Sequence, residues 1–338
     1  MAKKKVGVGV IGAGWVAGQH IEAYLNNPHV ELKCLHSRFQ WELDEKKERF
    51  GLTCDLWVDR LAEMLAREDI DIVSICTINF LHAEQAVMAA EAGKHMLIEK
   101  PICCSIDELK AIKKAVKKAG VIANSGYVLR WNPLIQIVHN LVSKGDLGKI
   151  TYAACDYWHE LIGEWKTKKA TAGSAWLMGG SHAIDAIRWM MGDDEVLEVS
   201  SYSTPAMRRK EFDYDPSGAL LMKFKSGAVG KAAVSVECNM PYVFNLELIG
   251  TKGAVRNNKL WCERMAGQTD WVEIPTILPD SADVAHHPFQ GEIDYLVDCV
   301  RKNKPSMLHV EDSGITHEIC FAAEKSAAQG CPVKLPLA

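Results

Sequence analysis

The sequence predicts an α/β protein: an N-terminal doubly wound parallel sheet of the Rossmann type, followed by an α+β domain with a large, mostly antiparallel open sheet. Three observations predict it. Short apolar strands alternate with helical segments up to about residue 126, a glycine-rich turn follows the first of those strands, and long alternating segments replace that rhythm beyond about residue 150.

Taken in order, Val6–Ile11 is a β-branched apolar run that reads as a buried strand. Gly12-Ala13-Gly14 turns the chain into a helical pattern over Val16–Leu25. Glu31–His36 reads as the second strand, Trp57–Arg67 as a helix, Ile70–Cys76 as a strand and His82–Ala92 as an alanine-rich helix. A strand at His95–Ile98, an amphipathic helix at Ile106–Ala119 and a strand at Val121–Gly126 complete the alternation. Beyond it come a helix at Ser181–Met191 and strand-like segments at Glu198–Thr204, Gly218–Lys225, Ala228–Glu237 and Phe244–Gly250. Glu292–Arg301 and Asp312–Ala328 return to helix. With 338 residues, more than one core usually organises, the division expected is a nucleotide-binding domain over 1–127 and a substrate and oligomerisation domain over 128–338. The terminal helices are candidates to pack back on the first domain.

Composition removes several classes of function. A formal net charge of -4 offers no basic surplus for nucleic-acid phosphates or an anionic membrane, so neither partner is expected. No stretch is apolar for long enough to span a bilayer. The basic start followed by Val6–Ala17 imitates a signal peptide, but glycines interrupt its apolar run. Eleven irregularly spaced cysteines, several inside apolar runs, read as buried thiols of a reducing compartment, and a cytoplasmic protein is expected.

Gly12-Ala13-Gly14-Trp15-Val16-Ala17 fits G-x-G-x-x-G/A between a strand and a helix. The first glycine makes the turn, the second admits a pyrophosphate to the backbone, and the small third position lets helix and strand pack. The helix N-terminus then favours the anion. The second strand ends in His36-Ser37-Arg38 rather than in a carboxylate for the ribose hydroxyls. Arg38 suits a 2′-phosphate or an adenine face, and Ser37 can bond either ribose. The missing carboxylate leans towards NADP, yet such loops also hold NAD, and both stay open.

With these residues the chain resembles the glucose–fructose oxidoreductase and inositol dehydrogenase (Gfo/Idh/MocA) family over nearly its whole length. Thr77-Ile78-Asn79-Phe80-Leu81-His82 resembles the family's T-P-N-x-x-H segment, with Ile78 in place of proline. Glu99-Lys100-Pro101 matches E-K-P, Arg130-Trp131-Asn132-Pro133 resembles R-[FW]-x-P, His182 to Asp185 matches H-x-x-D, and Gly250-Thr251-Lys252-Gly253 resembles G-T-x-G. The resemblance implies that Gly12, Gly14, Trp15, Val16, Ser37, Arg38, Thr77, Asn79, His82, Glu99, Lys100, Arg130 and Trp131 meet the cofactor. It implies catalysis by Lys100, with a lowered pKa beside the nicotinamide and a cis bond before Pro101, and by His182, with Asp185 orienting the proton or binding a sugar hydroxyl. It also implies a homodimer or homotetramer formed through the C-terminal sheet. One departure stands out: where the family often carries an aspartate four residues before the histidine, this chain has Met178, which cannot take a proton.

Further groups could reach a substrate. Tyr157-Trp158-His159-Glu160 ends the first strand of the second domain, offering an aromatic face for a sugar and an extra acid or base. His286 and His287, after Asp280 and Asp283, are candidates for substrate contact. No metal is expected, since adjacent histidines serve one ion poorly. The leading expectation is an NAD- or NADP-dependent oxidoreductase acting on a carbohydrate, with carbon 3 of a glycoside suggested by the resemblance. The alternatives are a redox-neutral glycosidase that oxidises carbon 3 transiently, and a non-catalytic NAD sensor.

Overall fold

The computed structural model describes residues 5–279 and 287–337. Two compact units result: one holds the residues up to Tyr127 together with Pro288–Gly314, and the other holds Val128–His287 and the residues from Ile315 onward.

The first unit alternates strand and helix: β1 (Val6–Ile11), α1 (Trp15–Asn26), β2 (Val30–Ser37), α2 (Gln40–Phe50), β3 (Asp55–Val58), α3 (Leu61–Leu65), β4 (Ile72–Ile75), α4 (His82–Glu91), β5 (His95–Ile98), α5 (Ile106–Ala119) and β6 (Ala123–Ser125). The strands are all parallel in the order β3-β2-β1-β4-β5-β6. Order reverses beside β1, the switch point where open α/β sheets bind ligands. Val8 and Val10 of β1 and Ala17 and Ile21 of α1 share a core with Ile293, Leu296 and Val297, which come from a helix far along the chain.

The helix expected over Trp57–Arg67 is corrected. Its first residues form β3, an edge strand paired in register with Cys34–Ser37, and only Leu61–Leu65 is helical. Leu56, Trp57 and Val58 are side chains that suit a pleated, half-buried surface, and pairing with β2 outweighs the helical spacing. The sequence reading also passed over α2, whose inner side buries only Leu43 and Lys46 and leaves no apolar stripe to recognise.

In the second unit, α6 (Pro133–Ser143), β7 (Ile150–Trp158), α7 (Lys169–Ala172) and α8 (Ser181–Met191) precede the strands β8 (Val196–Thr204), β9 (Ser217–Phe224), β10 (Val229–Ser235), β11 (Val243–Gly250), β12 (Gly253–Arg256), β13 (Lys259–Cys262) and β14 (Val272–Glu273). Later come α9 (Phe289–Lys302), which belongs to the first unit, α10 (Val310–Gln329) and β15 (Val333–Lys334). The sheet runs β14-β13-β12-β11-β7-β10-β9-β8-β15, antiparallel except for the pair β7 and β10. Strand alternation sorts its faces. Cys155, Tyr157, Leu220, Val234 and Leu246 point into a core shared with Ile184 and Ile187 of α8. The registers put Tyr202, Leu221, Val229 and Ile249 on the opposite face, where they are exposed. No described helix is long and apolar enough to cross a membrane, and no disulfide joins any of the cysteines.

Candidate active site

The nucleotide end of the first unit is built by backbone. Gly12 has φ +95°, and a Cβ there would stand 2.7 Å from the carbonyl oxygen of Cys76. Only glycine fits this turn between β1 and the end of β4. Gly14 caps α1 with no side-chain hydrogen bond, α1 has no acidic residue in its first turn, and the space where a Gly14 side chain would project is open. Free amides, helix dipole and open space together fit a pyrophosphate. Trp15 is exposed and Val16 half-buried at the start of that helix. Ser37 and Arg38 stand at the end of β2, with Ser37 buried and Arg38 exposed.

Around Lys100 a polar frame is complete within this unit. Glu99 is buried, accepts from His20 Nε2 at 3.0 Å and accepts the Lys100 backbone N–H at 3.1 Å. Burial pushes the Glu99 carboxyl up, but the His20 hydrogen bond and the charges of His20 and Lys100 outweigh it and hold its pKa below the ordinary value. The other His20 nitrogen lies 3.2 Å from Ser74 Oγ, which also meets the Tyr24 hydroxyl at 2.8 Å. The Lys100–Pro101 peptide is cis. His82 ties the next loop down, with Nδ1 2.7 Å from the Pro101 carbonyl and Nε2 3.0 Å from that of Thr77. Burial drives the His82 pKa down against the pull of those carbonyls. Thr77 Oγ1 donates to Gln85 at 2.6 Å, and Asn79 is buried beside it in a short turn. His20 and Tyr24 were missed in the sequence; their signal is two polar rings one turn apart on the buried side of α1.

In the second unit His182 lies in the first turn of α8, just after a π-helical turn over Trp176–Gly180 that contains Met178. Such turns are frequent at functional sites. Gly179 and Gly180 are needed for packing: a Cβ would come within 2.5 Å of the Tyr157 ring at the first and of the Trp176 ring at the second. The Tyr157 ring stacks on His182, with centroids 5.8 Å apart, and its hydroxyl lies 3.1 Å from His159 Nδ1. Burial pushes the Tyr157 hydroxyl well above its usual pKa. Tyr242, a further member that the sequence did not reveal, packs 5.3 Å from Tyr157 and 5.1 Å from His159. His287 lies 6.2 Å from His182 and 5.9 Å from Tyr242, ring to ring. Three imidazoles and two phenols thus share one cluster. His286 lies outside the described residues.

Several of the expected site residues have partners within the protein. Arg130, expected at the cofactor, donates from Nε and Nη2 to the two oxygens of Asp185 at 2.8 and 2.7 Å, both side chains being buried. Asp185, expected to orient the proton or bind a sugar hydroxyl, has both oxygens engaged by that guanidinium. Trp131 ends the short turn that carries Arg130. Trp158, expected to stack on a sugar, faces away from Tyr157 because successive strand residues alternate, and so belongs to the open face of the sheet. Glu160, offered as an acid or base, pairs with Arg208 at 2.7 Å.

Comparison with known proteins agrees with this frame. The family described as "Oxidoreductase family, NAD-binding Rossmann fold" matches residues 6–127, and the GFO/IDH/MocA C-terminal domain matches residues 135–256. The chain is 25% identical over 331 residues to the scyllo-inositol 2-dehydrogenase (NAD(+)) of Bacillus subtilis (strain 168), covering 96% of this chain and 95% of that protein. It is 27% identical over 216 residues to the 2,7-anhydro-N-acetylneuraminate hydratase of Mediterraneibacter gnavus, covering 62% and 57% of the two chains. The structure of a levoglucosan dehydrogenase in complex with NADH superposes with a TM-score of 0.89 at 22% identity, over 99% of this chain and all of that one, a likeness of fold. The chain belongs to the Gfo/Idh/MocA oxidoreductase family, and it is an NAD-dependent enzyme.

Proposed function

We propose that this enzyme moves a hydride between an alcohol carbon of a sugar or glycoside and the nicotinamide of NAD, with carbon 3 of a pyranoside as the reacting position. The observation that carries the reading is the frame around Lys100, in which His20, Glu99 and His82 fix the peptide on both sides of the lysine. Bound NAD supplies the hydride acceptor. Lys100 takes the hydroxyl proton as the carbon–oxygen bond becomes a carbonyl, and the family resemblance gives His182 a proton-exchanging role for which Met178 is unsuited. Asp185, held by Arg130, positions α8 rather than touching substrate. The catalytic roles of Lys100 and His182 and the identity of the substrate come from the family resemblance and the chemistry of these groups.

A second reading is favoured by His159 and His287 standing in the cluster with His182, and by the hydratase among the relatives. In it, oxidation at carbon 3 acidifies the proton at carbon 2. A histidine removes that proton, the aglycone leaves carbon 1 with its electron pair, water adds, and the ketone is reduced again. Nitrophenyl glycosides assayed with and without added NAD separate the two. A dehydrogenase reduces the cofactor stoichiometrically and leaves the glycoside intact. A redox-neutral glycosidase releases nitrophenol with no net reduction. Lys100→Ala should lower either activity by about 10²–10⁴-fold, and wild-type turnover in that variant would sink both readings. We also propose that the open sheet face bearing Tyr202, Leu221 and Ile249 joins copies of the chain into a dimer or tetramer, which light scattering would contradict by finding a monomer.

A further inference from the structure

We propose that Glu42, on α2, supplies the carboxylate that the end of β2 lacks, and that it makes the enzyme select NAD over NADP. In dinucleotide folds an acidic residue about 20 positions beyond the glycines bonds the ribose hydroxyls, whereas a nearby arginine accommodates a 2′-phosphate. By sequence this chain has the arginine and no acid. By structure the acid is present. Ser37 occupies the end of β2, is buried, and donates its hydroxyl to a Glu42 carboxylate oxygen.

The arrangement is fixed from several sides. Ser37 Oγ accepts the backbone N–H of Phe39 at 3.2 Å, which leaves its single hydroxyl hydrogen directed at Glu42. Glu42 sits in the first turn of α2, where the helix dipole stabilises a carboxylate. The Ser37 carbonyl accepts the backbone N–H of Asp59, so a second acidic residue adjoins the same strand end. Arg38 is exposed, and its guanidinium lies 5.5 Å from the Phe39 ring. A ribose hydroxyl can donate to the Glu42 carboxylate, whereas a 2′-phosphate would bring like charge against it. A pair split between a strand end and a helix therefore does what one strand-end acid does elsewhere.

The test is direct binding. Purified protein is titrated separately with NADH and NADPH, and dissociation constants are read from nicotinamide fluorescence. NADH should bind at least about tenfold more tightly. Glu42→Gln, which keeps an acceptor but removes the charge, should narrow that ratio about tenfold, chiefly by tightening NADPH. Adding Arg38→Ala to that variant should remove the gain. Ser37→Ala, which releases Glu42 from the strand end, should narrow the ratio in the same direction, and circular dichroism would verify that each variant is folded. A native protein that prefers NADPH overturns the proposal, as does a Glu42→Gln variant with an unchanged ratio. A protein that takes up neither nucleotide overturns it together with the cofactor assignment.

Discussion

The surroundings of Lys100 and of His182 differ in kind. Lys100 is framed by polar groups that meet one another and backbone: His20 donates to Glu99, Glu99 accepts the Lys100 peptide N–H, and the His82 ring lies between two carbonyls. His182 is framed by rings, stacked on Tyr157 and beside His287, with Tyr242 behind them. In both units a buried polar pair stands one step from the candidate catalytic group, the His20–Glu99 hydrogen bond in one and the Arg130–Asp185 ion pair in the other. The lesson is that the cofactor half is specified by backbone geometry, which few residues satisfy. The surroundings of His182 are specified by side-chain packing, which many residues can satisfy.

The largest effect expected outside catalysis tests the ion pair of the second unit. Asp185→Ala would leave a buried guanidinium without its carboxylate, and chemical denaturation should show a loss of about 3–5 kcal/mol. Arg130→Met combined with Asp185→Leu should recover most of that loss, since it removes both charges. A cost near zero for the single variant would mean that α8 is held by packing alone, and the parallel between the two units would fail.

Gly179→Ala tests the ring packing. A Cβ 2.5 Å from the Tyr157 ring must push that ring aside, and a thermal or denaturant midpoint should report about 1–3 kcal/mol of destabilisation. Wild-type stability would show that the aromatic cluster yields easily.

The smallest effect concerns acid. The Glu99 carboxyl has a folded pKa below its ordinary value of 4.5, so its contribution is fully present above that value and is lost as pH falls through the lower, folded one. Glu99→Gln should therefore flatten the fall of stability with decreasing pH below about 4.5. An unchanged acid limb would mean that His20 and Glu99 lose their mutual stabilisation together by some other route.

How much of this was legible in the sequence follows the same division. The glycines at 12 and 14, Glu99-Lys100-Pro101 and the parallel sheet could be read because each satisfies a backbone requirement with few solutions. The position of Met178 beneath a histidine was also legible, as an absence. His20 was not, because its partner lies 79 residues away and only the fold joins them. The face that Trp158 takes was not legible, because strand register, not composition, decides which of two neighbours points inward. The pairing of Asp185 with Arg130 was not legible either, because the two lie 55 residues apart in the chain. Glu42 escaped because a rule written for a strand end does not look along the next helix.

One property of the chain's path bears on how such a protein can be taken apart. The polypeptide passes from one unit to the other after Tyr127, after His287 and after Gly314. Ile293, Leu296 and Val297 thereby complete a core begun by β1 and α1. The nucleotide-binding module is thus not a severable head. Cut after Tyr127, it would lose α9 and show bare apolar surface where that helix lies. An exchange that grafts this nucleotide-binding unit onto another protein must carry two separate stretches of sequence, and recombination at a single crossover would break the core that it meant to transfer.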